Sequence, residues 1–135
     1  MANAIYDPGR ESFLKGEIAW QTDNIKCVLV KTSEGYTFSA AHQYLSSIDV
    51  GDRVATSGNL GTKTTTNGVA DAADVTFSAV TGDDCGAVVI YKDTADPATS
   101  NLIAYIDDAT GLPVTPNGGD ITIQWDDGAN KIFKL

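Results

Sequence analysis

The chain holds one histidine, one methionine, two cysteines and only two arginines among 135 residues. Each scarcity excludes something. The two arginines, Arg10 and Arg53, stand apart, and no run of Lys and Arg exists anywhere. Nucleic-acid affinity depends on clustered cations that displace counterions from phosphates. With 18 acidic against 9 basic residues and a formal charge of −9, binding to DNA or RNA is not expected. An anionic membrane surface is an equally poor partner. Cys27 and Cys85 belong to no Cys-x-x-Cys or Cys/His cluster, so zinc is not expected. The opening MANAIYDPGR has neither the basic nor the apolar region of a secretory signal. Apolar runs such as CVLV at 27–30 and AVVIY at 87–91 are far too short to span a bilayer. Synthesis and folding in a cytoplasm are the expectation, and two free buried thiols fit a reducing compartment better than a disulfide does.

What is present suits one folded domain over residues 1–135, with an N-terminal arm and helix over about the first 20. The apolar fraction is 42% and the charged fraction 20%, which separates the chain from disordered sequences. A helix is expected near the start. Asp7 suits an N-cap, Pro8 the first turn, Phe13 and Leu14 an apolar face, and Gly16 the stop. A second short helix is expected over 40–47, capped by Ser39.

Most of the remainder reads as strands between turn residues. Expected strands cover 25–31, 53–59, 73–80, 87–92, 102–107, 120–125 and 131–135. In the third of these, Ala73, Val75, Phe77 and Ala79 share one face. The last two strands, joined by Asp126-Asp127-Gly128, resemble a hairpin. Short strands at such spacing predict a mostly β protein, an antiparallel sandwich or barrel. The Thr/Gly-rich stretch 58–68 reads as a loop or as strand.

No constellation points to an enzyme or to a cofactor. His42, in AAHQY, has no acid or nucleophile near it in sequence, and a structural or surface role outweighs a catalytic one. The paired acids Asp83-Asp84, Asp107-Asp108 and Asp126-Asp127 fit turns better than calcium sites, because the EF-hand spacing is absent. Among the aromatics, Trp20, Tyr36, Tyr44, Tyr91, Tyr105 and Trp125 are mostly core candidates. Trp20, beside Gln21 and Thr22, is the one expected at the periphery.

Three stretches carry a resemblance: MANAIYDPGRESFLKGEIAW, then VATSGNLGTKTTTNGVADAADVTFSAVTGD continued by AVVIYKDT, and LIAYIDDATGLPVTPNGGDITIQWDDGANKIFKL. Together they resemble the small virion structural proteins of tailed bacteriophages, of the head decoration or cement type. DNIKCVLVKT fits the same pattern, with Cys27 in place of an ordinary apolar residue. The resemblance implies a jelly-roll-like β-sandwich and a place on the head surface of the virion. It also implies two partners, the major capsid protein and further copies of the chain in a homo-oligomer. Ile5, Tyr6, Phe13, Leu14 and Trp20, around the N-terminal segment, are the candidate partner-binding residues. The alternatives are that they cap the protein's own core, that the chain belongs to a tail or neck, or that it is a carbohydrate-binding module for host attachment.

Overall fold

The computed structural model describes residues 4–126, 128–129 and 131–135. Its centre is a five-stranded sheet built from the most apolar segments. The strands are β1 (Ala4–Ile5), β2 (Ile25–Val30), β3 (Arg53–Thr56), β6 (Ala87–Lys92) and β7 (Leu102–Ile106). Their order is β1-β7-β6-β2-β3, every neighbouring pair antiparallel. Four short strands make two further ribbons. β4 (Val69–Ala70) pairs with β9 (Phe133–Lys134), and β5 (Val75–Phe77) pairs with β8 (Ile121–Ile123).

β6 lies in the middle of the sheet, and five of its six residues are buried. Covering on both faces is why it reads as a continuous apolar run. Cys27, Leu29, Val88 and Ile90 join Phe77, Ile123 and Phe133 of the ribbons in one core. The alternate residues Val28, Val30, Val89 and Tyr91 face a second core with Tyr6, Leu102 and Tyr105, which Tyr36, Leu45 and Ile48 help to cover. A bulge between β6 and β7 sets Tyr91 opposite Leu102 but Ile90 opposite Ala104. Ile103 is the extra residue, and its carbonyl accepts the Tyr6 N–H at 3.0 Å.

The N-terminal helix α1 (Asp7–Leu14) forms as expected, but Tyr6 is its N-cap and Asp7 its first residue. The Asp7 N–H is taken by the Ala40 carbonyl at 2.8 Å. Gly16, at φ +75, ends the helix. The expected apolar face is corrected. Gly9 and Ser12 face the sheet, Phe13 is half-buried, and Leu14 is 89% exposed. Only small residues fit because α1 rests directly on β7. A Cβ on Gly9 would stand 2.6 Å from the Leu102 carbonyl oxygen and 3.3 Å from the Ile103 Cα. Gly9→Val is therefore expected to destabilise the fold by about 1–3 kcal/mol through overpacking, outweighing its gain in helix propensity. Urea denaturation of the variant measures this, and an unchanged midpoint would refute the close seating.

Three further expectations are overturned. Residues 40–47 hold only a single 3-10 turn at Leu45–Ser47. The Leu45 and Ser46 N–H groups go to the Ser100 and Pro97 carbonyls, so no helical ladder competes for them. The last two strands form no hairpin, because β8 pairs with β5 and β9 with β4. Asp126 accepts the Gly128 N–H at 3.1 Å in a local turn, while Asp127 lies outside the described residues. In the 73–80 segment only Val75, Phe77 and Val80 are buried. Ala73 and Ala79 are exposed, with Ala79 at φ +49. The 58–68 stretch is a loop tied to the 21–23 turn. Lys63 Nζ donates to the Asp23 carbonyl at 2.6 Å, and Thr65 Oγ1 to Gln21 Oε1 at 3.1 Å. Cys27 and Cys85 are both buried and free.

Candidate apolar contact site

The short turn after α1 builds the first wall of the site. The Ala19 carbonyl accepts the Thr22 and Asp23 N–H groups, and Asp23 Oδ2 accepts the Ala19 N–H at 2.8 Å. This tight loop leaves Gln21 and Thr22 outside and swings Trp20 inward. Trp20 is 4% exposed, which corrects its expected peripheral place. Its indole N–H donates to the Asp71 carbonyl at 3.2 Å. Its ring meets Phe133 edge-on, with centroids 5.4 Å apart. Phe13, from the last turn of α1, meets Phe133 from another side at 6.1 Å.

Where these three rings converge, the surface opens into an apolar notch of about 190 Å³. Val69 and Ala70 of β4 and Leu135 complete the lining with Thr65 and Gly68, and no charged side chain lines it. Leu135, in this lining, exposes 57% of its surface, and Leu14, next to Phe13 in the chain, exposes 89%. With Val50, they are the exposed large hydrophobic residues among the described residues. An apolar notch with an exposed leucine in its lining is a surface suited to burying apolar groups of a partner.

The candidate residues divide accordingly. Phe13 and Trp20 line the notch, and Leu14 follows Phe13 in the chain but is absent from the lining and exposed to water. Ile5 and Tyr6 lie elsewhere. Ile5 is paired in β1, and Tyr6 is fully buried under the other face of the sheet. Val69, Phe133 and Leu135 belong to the site and were missed, although the closing IFKL does carry the apolar signal.

His42 takes part in a second polar arrangement. The Tyr36 hydroxyl lies 2.7 Å from His42 Nδ1 and 3.0 Å from the Tyr6 hydroxyl. Phe38 packs on Tyr6 and Tyr105 at 5.1 and 5.0 Å. Burial raises the pKa of both phenols, which keeps them protonated and hydrogen-bonded. The chain of contacts pins residues 36–42 over the sheet.

Of the paired acids, Asp83, Asp84, Asp108 and Asp126 are exposed and Asp107 is half-buried. Asp83 bridges Lys31 at 3.3 Å and Asp84 is exposed. Among the described residues, no group of three His, Cys, Asp or Glu side chains could hold a metal ion. Nor is any described helix long and apolar enough to cross a membrane. Trp125 is 6% exposed, and it donates to the Ala73 carbonyl at 3.0 Å. Neither tryptophan therefore presents an open ring face for a sugar to stack on. Searches of family models and of curated protein sequences return no match to the chain.

Proposed function

We propose that this chain is a structural protein of a tailed-bacteriophage virion. In this reading it is a decoration or cement protein that binds the major capsid protein lattice and stabilises the head. It acts through surfaces rather than turnover. Made in the host cytoplasm, it ends on the outer face of the shell in many copies. The proposed architecture is a jelly-roll-like sandwich, in which the two ribbons form the layer opposite the large sheet.

The observation that carries the reading is the apolar notch between α1, β4 and β9, with exposed Leu135 in its lining and exposed Leu14 next to Phe13 in the chain. An adhesive apolar edge on a rigid, acidic β domain is what a lattice-binding protein needs. The charge of −9 adds attraction to any basic surface on the shell. The resemblance of its three stretches to phage virion proteins is what suggests the capsid lattice as the partner.

Copy number and position in purified particles test this directly, by quantitative gel and cryo-electron microscopy. Hundreds of regularly placed copies on the head support it. A few copies at the neck or tail overturn it in favour of a ring component. Leu14→Ser sharpens the test. Its stability should stay within about 0.5 kcal/mol of the parent, because the side chain is solvated already. Its binding to undecorated shells should weaken about tenfold or more, since a buried leucine contributes roughly 2 kcal/mol.

A further inference from the structure

The nine basic side chains of this acidic protein are not used alike. Six of them are engaged within the fold. Lys15, Lys26, Lys31 and Lys92 form ion pairs with Glu11, Asp93, Asp83 and Asp23. Arg53 and Lys63 donate to the Ile48 and Asp23 carbonyls. The remaining three, Arg10, Lys131 and Lys134, have no ion pair or side-chain hydrogen bond to a described residue, and all three line one cleft. This cleft of about 320 Å³ lies between the β1–β7 edge of the large sheet and β9. Its floor is apolar, with Ile5, Ile106 and Ile132, and Asp126 is the one carboxylate in its wall.

We infer that this cleft receives the acidic turn at residues 82–84 of a second copy of the same chain. The turn carries two adjacent carboxylates. Asp84 is exposed, and Asp83, though it bridges Lys31, keeps 62% of its side chain in water. Gly82, at φ +126, sets the turn against Val54 of β3. The turn and the cleft therefore lie at opposite edges of the five-stranded sheet, β3 and β1. Each copy thus has a basic socket at one edge and an acidic plug at the other. Joining unlike surfaces is heterologous, and repetition closes a ring or extends a filament. Engagement would pair three cations that the described carboxylates of the chain leave without an ion pair.

The inference rests on the homo-oligomer that the resemblance implies, but it fails separately from the proposed function. Copy number on the head does not depend on which surfaces of two copies touch. Sedimentation equilibrium of the full chain tests it. Association is expected at about 0.1 M salt and should weaken at about 1 M, where the screening length falls from about 10 Å to about 3 Å. The variants Lys131→Glu/Lys134→Glu and Asp83→Lys/Asp84→Lys should each self-associate about tenfold or more weakly. Mixed together, they should associate again, because the intact socket of one meets the intact plug of the other and the two reversed surfaces are complementary as well. Circular dichroism confirms that each variant is folded. A wild-type chain that stays monomeric at low salt overturns the inference. So do variants that associate as the wild type does, and folded variants that ignore one another when mixed.

Discussion

Raising the pH to about 11 is expected to remove about 4 kcal/mol of folding stability, a large part of what a domain of this size possesses. Two groups account for that much by themselves. Burial pushes the Cys27 thiol well above its ordinary 9.0, and a hydrogen bond from Ser57 offsets this only in part. Burial also raises the Tyr6 phenol above its ordinary 10.0, helped by its contact with Tyr36. In the unfolded chain these groups release protons near their ordinary values, while the folded chain retains them. The unfolded state then binds fewer protons, so stability falls as pH rises. The stabilisation is complete below about pH 9 and declines by about 1.4 kcal/mol per pH unit for each group. Cys85, pushed up to about 11, and Tyr91, pushed up to about 12, act in the same direction, as do Tyr36 and Tyr105. Urea midpoints recorded from neutral pH upward measure the slope. Cys27→Ala should start less stable, because it leaves a small cavity, and then lose stability less steeply above pH 9. A midpoint that stays level to pH 11 would contradict the burial of both groups.

Those buried groups sit in the part of the fold that was most legible in the sequence. β2, β6 and β7 are stretches of β-branched and apolar residues, and such residues both favour extended backbone and demand burial. Local and global preferences agree there, so strand positions follow from composition. They disagree at residues 40–47. Ala41, Tyr44, Leu45 and Ile48 have helical spacing, yet the backbone donors at 45 and 46 find carbonyls on the 97–100 loop instead. No local pattern reports that competition. The missing hairpin has the same origin. β8 and β9 adjoin a turn, but each completes a ribbon with a strand some fifty or sixty residues earlier. At the notch, Phe13 and Trp20 were visible as candidates, whereas their meeting with Phe133 depends on the β4–β9 pairing. The basic cleft was invisible for a similar reason. Arg10 and Lys134 lie at opposite ends of the chain, and a scan for runs of Lys and Arg finds nothing.

Replacing Trp20 with alanine is expected to cost about 3–5 kcal/mol, among the largest effects of any single substitution. The ring is 4% exposed, so its area is already removed from water. It braces Phe133 at 5.4 Å, and Phe133 in turn meets Phe13 at 6.1 Å. Removing it leaves a cavity where α1, β4 and β9 converge, and deletes the hydrogen bond to the Asp71 carbonyl. Asp71 keeps the Thr64 N–H as a partner, so the carbonyl is not orphaned and the cost is chiefly packing. Trp20→Phe, which retains most of the ring, should therefore lose only about 1–2 kcal/mol. Urea denaturation of both variants separates two roles for this residue. An anchor that reaches out to a partner could be truncated with little effect on folding, as expected for Leu14→Ser. A pillar of the domain's own core could not. Near-parental stability of Trp20→Ala would show that the indole belongs to the contact surface. A loss of the expected size would mean that Trp20 shapes the notch from beneath, while the exposed Leu14 and Leu135 remain the side chains free to meet a partner.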